Sequence, residues 1–250
     1  MDELKKAFTP QTILVAVMYA NNETGVIQPI KQIANIVHEN KSIFMCDATQ
    51  VVGKINIDVQ DEHIDLMCLS AHKLYGPKGV GALYVRRKDP RVTLFPQMDG
   101  GEHERGLRSG TLNVTGIVGL GKACELAKNE TWEDAARISK LRTRLEQLLC
   151  ELPNVFINGS TKHRLFNTAN ITFQGIRSES LISKIPKIAV AIGSACTSAT
   201  AKPSHVLKAM GLSDEDSYSS IRFSLGKYTT EEEVKEVIEV IVKVVKEGRK

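Results

Sequence analysis

The chain has 250 residues, with 33 Lys plus Arg against 29 Asp plus Glu and a formal net charge of +4. That length allows one large or two modest domains with a real core, and charge spread without a basic block argues against a nucleic-acid surface. The longest strongly apolar stretch, around Thr12 to Ala20, falls far short of the roughly 20 residues that cross a bilayer, so no membrane span is expected. The opening Met1-Asp2-Glu3-Leu4-Lys5-Lys6 lacks the basic-then-apolar order of a secretory signal. The five cysteines, Cys46, Cys68, Cys124, Cys150 and Cys196, stand 22 or more residues apart. That spacing disfavours a zinc knuckle and a disulfide framework, and a reducing compartment follows.

Thr12 to Met18 alternates β-branched and apolar residues and reads as a buried strand, followed by the polar turn Asn21-Asn22-Glu23-Thr24-Gly25. Pro29 opens a helix through about Asn40 with Ile33, Ile36 and Val37 on one face. Short apolar runs at Ser42–Cys46, Asp65–Ser70 and Gly81–Val85 predict further strands, and the alternation argues for an α/β domain with a largely parallel sheet. Asp47 and Ser70 then fall at carboxyl ends of strands, where such sheets put ligands. Beyond a Gly/Arg-rich loop at Gly100–Thr111, two helices are expected, Val114–Lys128 and Trp132–Glu151. Strand-like segments follow near Val155–Ile157, Ala169–Phe173 and Ile188–Ile192. Thr230-Glu231-Glu232-Glu233 is a capping-box pattern for a last helix with Val234, Val237, Ile238 and Ile241 on its apolar face. The pattern divides the chain into an α/β domain over residues 1–129 and a smaller α+β domain over 130–250.

The strongest chemical signal is Ser70-Ala71-His72-Lys73-Leu74-Tyr75-Gly76-Pro77-Lys78-Gly79-Val80-Gly81, a strand end with a hydroxyl, an imidazole and a lysine within four residues. A lysine after a strand is most often a solvated surface group, but the glycines behind it permit close backbone approach to a ligand. Asp47-Ala48-Thr49-Gln50 lies at another strand end, 26 residues before Lys73. Alone, Asp47 reads as a turn cap. Together, a carboxylate for a pyridinium and an amine for an aldehyde are the pair that a pyridoxal-phosphate site requires. Cys196 sits among small and polar residues, Gly193-Ser194-Ala195 before and Thr197-Ser198-Ala199 after, a composition that favours an accessible loop. Cys46 and Cys68 lie in apolar strands and read as small buried hydrophobes. His38, His63, His103, His163 and His205 show no ligand-like spacing.

Five motifs in order, Asn21-Asn22-Glu23-Thr24-Gly25, Asp47-Ala48-Thr49-Gln50, Ser70-Ala71-His72-Lys73, Arg108-Ser109-Gly110-Thr111 and Gly193-Ser194-Ala195-Cys196-Thr197-Ser198, resemble cysteine desulfurases of the iron–sulfur-cluster and nitrogen-fixation type. These belong to the class V, fold-type I aminotransferases. The resemblance implies a pyridoxal 5'-phosphate enzyme that converts L-cysteine to L-alanine, leaves a persulfide on Cys196, and supplies sulfur for iron–sulfur clusters and other thio-cofactors. It implies Lys73 as the cofactor lysine, Asp47 at the ring nitrogen, Gln50 at the ring hydroxyl, and Ser70 and His72 at the phosphate. Thr111 would serve the phosphate of the neighbouring subunit's cofactor in a homodimer. Asn22 and Arg222, the latter within Ser220-Ile221-Arg222-Phe223-Ser224-Leu225-Gly226, would hold the substrate carboxylate, and Asn22 also touches the cofactor. No metal is implied. The long cysteine segment is more like the iron–sulfur-assembly group, whose partners are scaffold and other sulfur-acceptor proteins.

Members of that family carry a substantial amino-terminal portion ahead of the strand before Asn21-Asn22, which supplies a ring-stacking histidine, further phosphate contacts and sheet strands. No residue here matches that histidine, so the large domain is expected to be incomplete. A cytoplasmic enzyme is implied, or a mitochondrial one where a targeting segment precedes the chain. Two other readings stay open: a non-catalytic remnant keeping dimer and partner surfaces, and a selenocysteine lyase-like class V enzyme.

Overall fold

A computed structural model describes residues 1–192 and 202–249. The chain forms two compact units, residues 1–20 with 28–131 and residues 21–27 with 132–250. Among the described residues, no helix is long and apolar enough to cross a membrane.

In the first unit, helix α1 (Asp2–Ala7) precedes strand β1 (Leu14–Met18), helix α2 (Ile30–Glu39), and strands β2 (Ile43–Asp47), β3 (Leu66–Ser70) and β4 (Gly81–Val85). The sheet order is β1-β2-β3-β4. β1, β2 and β3 run parallel, while β4 returns antiparallel to β3 with Ser70 opposite Gly81. Gly81 must be glycine, because a Cβ there would stand 2.3 Å from the Leu69 carbonyl oxygen. Pro29 stands just before the first turn of α2, whose Ile30, Ile33, Ala34, Ile36 and Val37 are buried. With Phe44 and Cys46 of β2 they belong to this unit's apolar interior. β1 departs from the buried strand expected of its sequence: Leu14 is 45% and Met18 38% exposed. It stands at the end of the strand order, paired with β2 alone among the described residues.

The predicted pair of helices after residue 114 is one helix, α3 (Val114–Cys150). Asn129-Glu130-Thr131, between the two expected helices, is itself helical: Thr131 Oγ1 donates back to the Ala127 carbonyl and also reaches the Gly53 carbonyl at 2.8 Å. No proline interrupts the run, so backbone bonding continues through it.

In the second unit β5 (Val155–Ile157), β6 (Thr168–Phe173) and β7 (Ser220–Ser224) make an antiparallel sheet in that order, accompanied by α4 (Ser178–Ser183), α5 (His205–Ala209), α6 (Asp214–Tyr218) and α7 (Glu231–Gly248). Residues 188–192 form no strand; Ala191 makes a single bridge to Arg222. The capping box at Thr230 and Glu233 is present. Ile138, Leu141, Leu145 and Leu149 of α3, Ala169, Ile171 and Phe173 of β6, Ile221 and Phe223 of β7, and Val234, Ile238, Ile241 and Val245 of α7 make one continuous core. Every residue of β6 is buried, although it alternates polar and apolar.

Its polar face explains why residues 21–27 join this unit. Asn170 Nδ2 donates to the Glu23 carbonyl at 3.2 Å and the Leu165 amide to the Gly25 carbonyl at 2.8 Å. Gly25 has φ +73° and a Cβ there would approach Thr168 Cβ to 2.9 Å, so only glycine fits the seat. Below the turn, Asn158 Nδ2 lies 2.7 Å from Asn170 Oδ1, 2.9 Å from Thr172 Oγ1 and 3.2 Å from Ser220 Oγ, all buried. Such interior polar groups are tolerated because they are mutually satisfied.

Candidate active site

In the first unit the carboxyl ends of two adjacent parallel strands carry the predicted chemistry. Asp47 ends β2 and Ser70 ends β3, with Asp47 opposite Cys68 in the register. The chain leaves β2 in a turn in which Asp47 Oδ1 accepts from the Thr49 amide at 2.9 Å, and the Ala48 amide donates to the Cys68 carbonyl at 3.0 Å. Asp47 therefore does cap its turn, as its sequence context allowed, yet its carboxylate stays exposed. Beyond β3 a 3-10 turn, Ala71–Leu74, presents His72 and Lys73 to solvent while burying Ala71 and Leu74. The turn closes through Tyr75 at φ 64° and the Gly76 amide donating to the Ala71 carbonyl at 2.9 Å. An acid, a hydroxyl, an imidazole and an amine are thus set out along one strand-end edge.

A residue the sequence did not single out lies between these segments. Lys54 Nζ donates to the Gln50 carbonyl at 2.8 Å and to the Lys73 carbonyl at 3.2 Å. Burial and then the neighbouring Lys73 charge push its amine down to about 8. Thr111 is exposed in the loop before α3.

In the second unit Arg222, on β7, donates from Nη1 to the Asn22 carbonyl at 2.8 Å. Its Nε is buried without a hydrogen-bond partner among the described residues. Asn21 Oδ1 holds the turn by accepting from the Glu23 and Thr24 amides at 2.9 and 3.0 Å. Glu23 is 3% exposed and accepts from Ser204 Oγ at 2.6 Å. Burial raises its carboxyl, opposed by the Ser204 hydrogen bond and by His205 and Arg222. Glu23 and Ser204 stand 181 positions apart, so the pair leaves no local signal in the sequence.

Among the described cysteines, burial pushes the Cys46 thiol up to about 12 and raises Cys68 and Cys150, while Cys124 is exposed. Cys196 lies outside the described residues. Among the described residues, no group of three or more His, Cys, Asp or Glu is arranged to hold a metal.

The family model described as aminotransferase class-V matches residues 1–237. A curated protein of Anaeromyxobacter sp. (strain Fw109-5), named cysteine desulfurase IscS, is 53% identical over 247 residues, which is 98% of this chain and 61% of that protein. The cysteine desulfurase IscS of Mannheimia succiniciproducens is 52% identical over 249 residues, again 61% of its length. The chain therefore spans about three-fifths of these relatives. A solved NifS-like protein aligns with TM-score 0.87 and 38% identity over 98% of this chain and 64% of its own. A structure described as SspA in complex with cysteine aligns with TM-score 0.73 and 36% identity, over 92% of this chain and 63% of its own.

Proposed function

The chain belongs to the aminotransferase class-V family, a fold-type I architecture whose members are pyridoxal-phosphate enzymes in general, and on that premise we propose that it works as a cysteine desulfurase. The reading converts L-cysteine to L-alanine and passes the sulfur to Cys196, for delivery to iron–sulfur scaffold or other acceptor proteins. The observation that carries it is the exposure of Asp47, His72 and Lys73, with half-buried Ser70, at the carboxyl ends of β2 and β3. The names of the relatives, and cysteine in the SspA structure, support the choice of substrate.

That donor set fits pyridoxal phosphate. A carboxylate suits a protonated ring nitrogen, because an opposite charge favours the protonated form; a primary amine suits the aldehyde, and a hydroxyl with an imidazole suits the phosphate. When bound, the cofactor supplies an electron sink for charge developing at the substrate α-carbon. Asp47 holds the ring-nitrogen proton in place and Gln50 donates to the ring hydroxyl. Ser70 and His72 orient the phosphate, with Thr111 doing so for the neighbouring subunit in a homodimer. Lys73 anchors the cofactor and moves the proton at the α-carbon. Arg222 and Asn22 fix the substrate carboxylate, a task that suits a planar fork with parallel donors. The Cys196 thiolate attacks the substrate sulfur, the Cβ–S bond breaks as the S–S bond forms, a proton is delivered to Cβ, and alanine leaves.

The test is the chain incubated with pyridoxal phosphate and L-cysteine, with alanine and protein-bound persulfide both quantified. In a single turnover, with L-cysteine limiting over the chain, alanine and persulfide in equal amount are expected. Alanine with free sulfide and no persulfide would move the assignment to the lyase reading, and neither product would leave the non-catalytic one.

A further inference from the structure

Lys54 stands where the two strand-end segments meet. The backbone before it is pinned: Gly53 has φ +76°, a Cβ there would lie 3.1 Å from Leu74 and 3.2 Å from Ala127, and its carbonyl accepts from Thr131 at 2.8 Å. The Lys54 amide donates to the Val51 carbonyl at 2.8 Å, closing the turn that follows Gln50. From this fixed root the side chain sends one amine to two carbonyls, that of Gln50 in the turn after β2 and that of Lys73 in the 3-10 turn after β3. A carbonyl near the end of a short helix lacks an intrahelical donor, and basic side chains are suited to supply one. The ammonium is held there at a cost, since burial and the charge of Lys73 both lower its proton affinity. An apolar side chain filling the same space would avoid that cost but leave both carbonyls without this donor.

We propose that Lys54 is a positioning residue that ties the segment bearing Asp47 and Gln50 to the segment bearing Lys73, fixing the spacing of the acid and the amine. The inference rests on the assignment of Asp47 and Lys73 as cofactor residues. In this role Lys54 acts through the two backbone carbonyls that it holds.

Lys54→Met keeps most of the stem and removes the donors; Lys54→Arg keeps a cation. In the cofactor-free chain, amide hydrogen exchange in Lys54→Met is expected to quicken by roughly threefold or more over residues 48–55 and 71–76 and to stay unchanged in β6 and β7, because the loss is of local rather than global stability. Lys54→Arg should return both segments toward wild type. The dissociation constant for pyridoxal phosphate should rise about tenfold in Lys54→Met, the scale of a lost charge-assisted hydrogen bond. Exchange unchanged in either segment, or quickened equally throughout the chain, overturns the tie. Cofactor affinity equal to wild type with both segments loosened overturns its positioning role. If the wild-type chain takes up no cofactor, the function proposed above fails, while exchange in the cofactor-free chain still decides whether Lys54 makes the tie.

Discussion

The Arg222 guanidinium donates to the carbonyl oxygen of Asn22 at 2.8 Å, across 200 positions of sequence. One end of the fork is thereby fixed on the backbone of the Asn21–Gly25 turn, and the Nε–H remains buried without a partner among the described residues. The proposal gives the rest of the guanidinium to a substrate carboxylate, an acceptor that its planar fork matches.

Arg222→Lys keeps the charge but loses the fork. The KM for L-cysteine should rise by about tenfold to a hundredfold with a smaller change in kcat, as for a lost binding contact of roughly 1.5–3 kcal/mol. An unchanged KM in steady-state kinetics would take Arg222 out of substrate binding and leave it as a support for the Asn22 turn.

Glu23 should make stability depend on pH. Burial raises its carboxyl above the ordinary 4.5, so the folded state binds this proton more readily than the unfolded state. Its contribution is full below 4.5 and is lost as pH rises through the raised folded value. Urea unfolding of wild type and Glu23→Gln across this range should show wild type losing ground to the variant as pH increases. A difference independent of pH would mean that Ser204, His205 and Arg222 fully offset burial.

Asn158 shares the two hydrogens of its amide nitrogen among acceptors on Asn170, Thr172 and Ser220. Asn158→Ala strips donors from a buried cluster and should cost about 2–4 kcal/mol in urea denaturation. A cost under about 0.5 kcal/mol would show that the cluster repacks, since that is the range of surface substitutions.

Much of the scaffold was legible because its signals are local. β4 fell on the expected residues Gly81–Val85, and the Thr230 capping box announced α7 as a hydroxyl three positions ahead of a glutamate. β7 was missed as a strand because Ser220-Ile221-Arg222-Phe223-Ser224 is short and its interior pairing is with distant β6. At the site, Asp47, Ser70, His72 and Lys73 could be picked out because they stand at strand ends with apolar runs before them. Lys54 and Glu23 could not. A lysine after a glycine and a glutamate in a polar turn look solvated, and only the fold brings to them the Lys73 carbonyl and the Ser204 hydroxyl.

Lys73 is exposed at the 3-10 turn, so its removal separates chemistry from folding. Lys73→Ala should shift stability by no more than about 0.5 kcal/mol while abolishing the visible absorbance of lysine-bound cofactor after loading with pyridoxal phosphate. Survival of that band would place the cofactor on another amine, and Lys54, whose Nζ donates to the Lys73 carbonyl, would be the first to examine.

The sulfur acceptor can be separated from the cofactor by one atom. A persulfide needs a thiolate, and Cys46, with its thiol pushed up to about 12, keeps almost none at neutral pH. Burial disfavours the thiolates of Cys68 and Cys150 as well, which leaves exposed Cys124 and the sequence-assigned Cys196 as contenders. Cys196→Ser should load cofactor and bind L-cysteine as wild type does, because neither step uses the thiol, yet alanine formation should fall by about a hundredfold or more, since a serine hydroxyl is a far weaker nucleophile at neutral pH. Cys124→Ser should change nothing. Alkylation followed by peptide mass analysis should find the extra sulfur on the peptide containing Cys196; finding it on Cys124 would move the acceptor there, and full turnover in Cys196→Ser with no extra sulfur on any peptide would defeat the persulfide route.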